Sequence, residues 1–323
     1  MQANPLNRVY TRGKQNFIPT TESMKIIEVD KAHQAGIKGA DVKLAVIDTG
    51  CNNLNPMFQG EVSEEFAFPS IGDTQGHGTW CSGCAFGNGV TDNYTGLELI
   101  GMAPDSEKIS VKVFPDLMPF TSTDIILKGI EVALDRGAKV LSMSLGGEDC
   151  GEKDCAYGNV LKELNAKGVI TVIAAGNSGP NSNTIGCPGC HEKALTIGAI
   201  SIKGDIAEFS SRGPTKVGKI KPDCVAPGGA SQFDEYVHSA CSGTSDGFPD
   251  GAPTGFESMM GTSMATPHVA GLIALWVQRA RQKDIELNLE TVMRIIAENG
   301  EPKTNISGHG IIKYSWIENF LRT

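Results

Sequence analysis

The stretch "GTSMATPHVAGLIALWVQRA" (261–280) decides how this chain is read. A short polar turn runs straight into a segment, 265–280, that is apolar nearly all round. A helix with no polar stripe belongs in the middle of a protein. Pro267 limits where that helix begins, because its ring would clash with the carbonyl four residues earlier in a continuing helix. The helix is therefore expected to start at about Ser263. That puts the Ser263 hydroxyl beside a helix N-terminus, where charge developing on oxygen is favoured. A second Gly-Thr-Ser ends at Ser245, inside "CSGTSDGFPDGAPTG" (241–255). Turn residues surround it and no apolar helix follows, so it reads as a surface loop.

Working outward, short Val- and Ile-rich runs alternate with helical patterns. "VKLAVID" (42–48), "ISVKVF" (109–114), "KVLSMS" (139–144), "VITVIAA" (169–175) and "ALTIGAI" (194–200) read as strands buried on both faces. Between them, "STDIILKGIEVALDRG" (122–137) and "AYGNVLKELNAKG" (156–168) carry apolar residues at helical spacing and stop at Gly. "LETVMRIIAENG" (289–300) is a further amphipathic helix. This alternation predicts an α/β fold: a mostly parallel sheet with helices on both faces and the 263–280 helix buried at its centre. No linker divides the chain, so one domain, 24–323, with a short N-terminal extension, 1–23, is the expected organisation.

Composition narrows the function classes. The 323 residues are 40% hydrophobic and 20% charged, with 39 glycines and a formal charge of −9. An acidic balance argues against a nucleic-acid surface. No apolar window reaches membrane-spanning length, and the N-terminus lacks an apolar stretch of signal-peptide length. The expected location is the cytoplasm, the alternative being a secreted protein whose targeting segment precedes this numbering. Nine cysteines cannot all pair within the chain. Most are expected as thiols, with Cys150–Cys155 as the local disulfide should the compartment oxidise.

Ligands of open parallel sheets gather at the carboxyl ends of strands. Asp48 in "AVIDTG" and Asn177 in "AAGNSG" stand just beyond two such ends, and His77 sits in "GHGTW" between close-packing glycines. A serine hydroxyl attacks only when a base takes its proton. An imidazole can do so near neutral pH, held in the right tautomer by a buried carboxylate. Asp48, His77 and Ser263 supply those types in that order, and Asn177 can donate to an oxyanion beside the Ser263 backbone N–H. The order Asp, His, Ser differs from the chymotrypsin and α/β-hydrolase orders, and Ala265 breaks a G-x-S-x-G elbow.

With "DTG", "HGT", "AAGN" and "GTSMATPHVAG" in sequence, the chain resembles the subtilisin-like serine proteases from about Lys25 to its C-terminus. "SMSLGG", "TIGCPG", "EFSSRGP" and "KPDCVAPGG" look like further segments of that family. The resemblance implies the subtilisin-like three-layer fold and a serine endopeptidase acting on polypeptides through an acyl-enzyme, with no cofactor required for the chemistry. It implies that Ser144, Leu145 and Gly146 pair with substrate as an added strand. Ala174, Ala175 and Gly176 would line the pocket for the residue before the scissile bond, with Gly186 at its floor favouring bulky apolar side chains. The likeness is closest to the intracellular subtilisins, in "KIIEVDKAHQAGIKGADVKLAVIDTGC" and in "FIPT" (17–20), which is similar to their Leu-Ile-Pro-Tyr motif with Thr20 for Tyr. Residues 1–23 are accordingly expected to be autoinhibitory, and a homodimer stays open.

Structural calcium is the secondary cofactor expectation. Family members bind it near the His-bearing helix with help from an Asp, where this chain has Met57; the loop 87–98 offers Asn88, Asp92 and Asn93 instead. "CPGCH" (187–191) matches a haem-attachment pattern, but no second ligand or large apolar pocket accompanies it. A reactive thiol pair, or a metal shared with Cys81 and Cys84, is the alternative there. His268 is expected as a hydrogen-bonding core residue, while His33, His191, His238 and His309 have no evident partners.

Overall fold

Each apolar run read as a strand forms one, because β-branched residues buried on both faces suit a covered parallel sheet. In the computed structural model, which describes residues 10–12, 15–67, 72–151, 155–246 and 253–322, the main sheet contains β1 (Lys43–Asp48), β2 (Ser63–Phe66), β3 (Glu107–Lys112), β4 (Val140–Met143), β5 (Ile170–Ala174), β6 (Leu195–Ile200) and β7 (Cys224–Pro227). Their spatial order is β7-β6-β5-β4-β1-β3-β2, and each pairing is parallel. β2, "SEEF", and β7, "CVAP", are not among the strands expected from sequence: one is a polar edge and the other a short run ending in Pro.

Strand periodicity assigns the faces. Ala45 and Ile47 point toward α2 (Thr123–Asp135) and α3 (Ala156–Ala166), packing with Ile126, Ile130, Leu161 and Leu164. Leu44 and Val46 point the other way, into the larger core with α1 (His77–Phe86), α4 (Thr262–Arg281) and α5 (Leu289–Asn299). The Ser122 hydroxyl accepts from Ile125 N at 3.4 Å to cap α2, and Asn288 caps α5 from Thr291 N at 2.9 Å.

The helix α4 begins at Thr262 and, half-buried Ser263 apart, is buried as far as Val277. Pro267 lies inside it, so the Ser263 carbonyl has no backbone N–H to receive. It accepts instead from the Ser144 hydroxyl at 2.8 Å and from the Cys81 thiol at 3.6 Å. His268 is a core residue as expected: it makes contacts with the Met264 carbonyl at 2.8 Å and Ser23 Oγ at 2.7 Å. Burial pushes it down to about 4, so it is neutral in the folded protein at neutral pH.

The N-terminal segment differs from the expected separate extension. Gln15–Pro19 is a strand, parallel to Glu235–Ala240, which pairs antiparallel with Phe256–Met259. Phe17 and Ile18 are buried. The helix Thr20–Ile26 follows, and Thr20 Oγ1 accepts from Ile100 N at 3.0 Å. From Gln15 onward, therefore, the segment belongs to the folded body and adds to its second, smaller sheet. The rest of the expected extension, 1–9 and 13–14, lies outside the described residues.

Candidate active site

The carboxyl ends of β1 and β5 and the starts of α1 and α4 converge on one cleft of about 830 Å³, which Asp48, His77, Asn177 and Ser263 all line. Asp48 ends β1 and His77 opens α1, so a strand end and a helix start face each other. Their approach needs glycine: a Cβ on Gly78 would collide with the Gly50 carbonyl, and one on Gly76, at φ +103°, with the Ser242 carbonyl.

The start of α1 is organised by Asp73, which sequence reasoning overlooked. Its Oδ1 accepts from Gln75 N and Gly76 N, both at 2.9 Å, while Oδ2 accepts from Thr79 N at 2.9 Å and Thr79 Oγ1 at 2.7 Å. The first Gly-Thr-Ser has a part here as well. Thr244 N and Ser245 N donate to the Thr74 and Gln75 carbonyls at 3.0 Å each. That loop is thus a backbone buttress for the approach to His77, a role its turn-rich composition did not reveal. Residues 247–252 of that loop lie outside the described residues.

Asp48 is buried, with Oδ1 accepting from Thr49 N and from His77 Nδ1, both at 2.7 Å. An ionised carboxylate only accepts, so Nδ1 carries the ring proton and Nε2 is left with its lone pair. Burial works against the imidazolium, but the nearby Asp48 carboxylate outweighs it and holds His77 well above the usual histidine range. Lys112, wholly buried and in register with Asp48, tethers the strand exit by donating to the Thr49 carbonyl at 2.8 Å. Its sequence signal, a lone Lys inside a strand, was read only as part of that strand.

Ser263 Oγ donates to the Ser144 carbonyl at 3.3 Å rather than to His77. Hydrogen bonds between reacting groups are often long or unmade in unliganded sites. Asn177 Oδ1 accepts from Thr262 N and Thr262 Oγ1, both at 2.9 Å. With its oxygen committed to these two donors, the amide turns its NH₂ toward the Gly261 turn, where a Cβ would lie 3.3 Å from Nδ2. Thr262, which also receives Gly176 N at 3.2 Å, is thus a positioning residue not singled out from sequence.

Of the residues expected to bind substrate, Ser144, Leu145, Gly146, Ala174, Gly176 and Gly186 line the cleft. Ala175 does not. It is fully buried, its N–H donating to Ile197 O and its carbonyl accepting from Gly186 N, because neighbouring residues of an extended segment point to opposite sides. Gly186 has a backbone reason too: a Cβ there would lie 2.7 Å from the Gly147 carbonyl.

Of the calcium candidates, Asp92 and Asn88 already hold protein partners. Both oxygens of Asp92 are taken by protein donors: Oδ1 by Tyr94 N at 2.9 Å, Oδ2 by Thr95 Oγ1 at 2.6 Å and His238 Nε2 at 3.0 Å. Asn88 Nδ2 donates to Glu61 at 2.9 Å, and Asn93 is exposed. Met57 is buried in the apolar core. This oxygen set therefore does not fit a cation without rearrangement. Cys81 and Cys84 also stay apart from "CPGCH": Cys81 lies 3.9 Å from His77 Nδ1 and Cys84 3.2 Å from His268 Nδ1.

Residues 39–310 match the subtilase family. The chain is similar to the serine protease AprX of Bacillus subtilis (strain 168), 32% identical over 90% of this chain and 69% of that protein. It is also similar to the intracellular serine protease of Paenibacillus polymyxa, 30% identical over 88% of this chain and 82% of that one. In fold it resembles the prenylagaramide maturation protease PagA, with TM-score 0.73 at 22% identity, over 91% of this chain and 98% of that chain.

Proposed function

This chain belongs to the subtilase family and is a subtilisin-like serine peptidase; from that premise we propose that Ser263, His77 and Asp48 form its catalytic triad, with Asn177 as oxyanion donor. The observation that carries the reading is the 2.7 Å bond from His77 Nδ1 to buried Asp48, in a cleft that Ser263 also lines.

The chemistry follows from these positions. His77 Nε2 takes the proton of Ser263 Oγ as that oxygen bonds to the peptide carbonyl carbon. Negative charge moves to the carbonyl oxygen, where Asn177 Nδ2 and the Ser263 backbone N–H donate to it. The C–N bond then breaks, and the departing amine takes the proton from His77, leaving an acyl-enzyme. Water enters, His77 removes its proton, and the same sequence releases the acid. Asp48 stays ionised and favours the imidazolium that forms twice in each cycle.

The substrates in this reading are polypeptides cleaved internally, held against Ser144–Gly146, with a bulky apolar residue before the scissile bond beside Ala174, Gly176 and Gly186. Similarity to an intracellular protease favours action inside the cell. No described helix is long and apolar enough to cross a membrane.

A serine-directed phosphonate, followed by mass mapping of the adduct, tests the assignment. The expected label is on Ser263, abolished by Ser263→Ala together with peptide hydrolysis and retained by Ser245→Ala. A folded protein that hydrolyses peptides but carries the label elsewhere would refute it.

A further inference from the structure

The motif that the peptidase reading leaves unused is "CPGCH". Its histidine, buried His191, directs Nε2 at three thiols, one of its own motif and two of the 150–155 segment: Cys155 Sγ at 2.9 Å, Cys187 Sγ at 3.7 Å and Cys150 Sγ at 3.8 Å. These four ligand atoms lie within 4.8 Å of one another. A zinc ion with S and N ligands at about 2.3 and 2.0 Å in a tetrahedron sets S···N at about 3.5 Å and S···S at about 3.8 Å. The S···N contacts found need changes of about 0.2–0.6 Å, and the S···S separations, all within 4.8 Å, of at most about 1 Å, to close on one ion. We propose that Cys150, Cys155, Cys187 and His191 form a tetrahedral Cys₃His site for a borderline-soft divalent metal, zinc by preference.

The donor set itself points to that metal. Three thiolates and one imidazole suit zinc, whereas calcium and magnesium require oxygen ligands. The four side chains fill a closed coordination shell, the pattern of a structural rather than a catalytic site. Cys150 is exposed and Cys155 half-buried, and both border a surface pocket of about 440 Å³ that also reaches Cys187, which provides an entry route. Binding releases the thiol protons to solvent, so occupancy falls as pH is lowered. Cys190 stands in a second group with Asp149 and Cys150 and is not one of the four.

Position gives the site a task. Cys187 N–H donates to the Gly147 carbonyl at 3.0 Å and Gly147 N–H to the Cys187 carbonyl at 2.8 Å, which joins the cleft edge to the segment that carries Gly186. Metal bound to Cys150 on one segment and to Cys187 and His191 on the other would brace both walls of the cleft. The brace rests on reading the cleft as a peptidase site; the metal site itself does not.

The test uses full-length protein purified under reducing conditions, stripped with chelator and reconstituted with zinc or cobalt. The expected result is about one zinc per chain and, for cobalt, intense visible bands of tetrahedral geometry with thiolate charge-transfer absorption. Cys155→Ser and His191→Gln should each weaken zinc binding at least about tenfold, and Cys190→Ser should leave it nearly unchanged. Wild-type protein that takes up no zinc and gives only octahedral, weakly coloured cobalt would overturn the proposal, whatever the variants do. So would a Cys150–Cys155 disulfide persisting under those reducing conditions. Metal content is measured without substrate, so its outcome is independent of whether Ser263 is the nucleophile.

Discussion

At the residue scale, chemistry depends on one side chain holding another in place. His77 must be neutral to take a proton, and Asp48 holds its pKa above the usual range. The neutral fraction therefore falls as pH drops through that raised value. The acid limb of kcat/KM should lie above about 6.5, the ordinary histidine pKa. Asp48→Asn should move the limb to lower pH and reduce kcat by about 10⁴, a magnitude that belongs to the family and to serine triads generally, not to this geometry; a pH–rate profile of both proteins checks the sign. Asn177→Ala should reduce kcat by about 10²–10³ with little change in KM, again the family's own magnitude. Thr262→Val leaves Asn177 Oδ1 without its hydroxyl donor, and a smaller loss in kcat is expected from the less fixed amide. Steady-state kinetics on one peptide substrate compares the two. Thr262 and Asp73 were not legible as positioning residues because Thr and Asp occur throughout turns; only the contacts distinguish them.

At the element scale, the close approach of β1 and α1 depends on atoms that are missing. A methyl group on Gly78 would meet the Gly50 carbonyl, the Gly50 amide nitrogen and the Thr49 nitrogen, none of which can swing aside. Gly78→Ala should therefore displace His77 from Asp48 or prevent folding, costing about 1–3 kcal/mol or more as an overpacking substitution. Denaturant titration together with kcat measures both effects, and a variant with wild-type stability and turnover would contradict this account. Helix α4 shows the reverse arrangement. Pro267 removes an N–H that would have bonded the Ser263 carbonyl, and Ser144 and Cys81 satisfy that carbonyl from other elements. A local rule is broken at the first turn of the helix and compensated by tertiary contacts.

At the scale of the whole molecule, the N-terminal segment shows where local patterns stop being informative. "FIPT" resembles an inhibitory motif, yet Phe17 and Ile18 are buried in the smaller sheet, and residues 15–23 do not line the cleft. Deleting 1–20 should lower Tm, since burying a Phe and an Ile stabilises by about 1.5–3 kcal/mol each. Thermal melts beside activity assays separate the two roles: an unchanged Tm contradicts the structural one, and a rise in turnover marks inhibition by the segment. The sequence by itself determined the parallel sheet, its main helices and the family resemblance. Those follow from periodicity of 2 or 3.6 and from short motifs in a fixed chain order, all local signals. Only the tertiary structure decided that Ala175 faces inward, that Asp92 is occupied by His238, that the Ser245 loop braces the run-in to His77, and that His191 meets the two thiols of the 150–155 segment. Each of these depends on which segments the fold brings within about 4 Å of one another, the range over which packing and hydrogen bonding act.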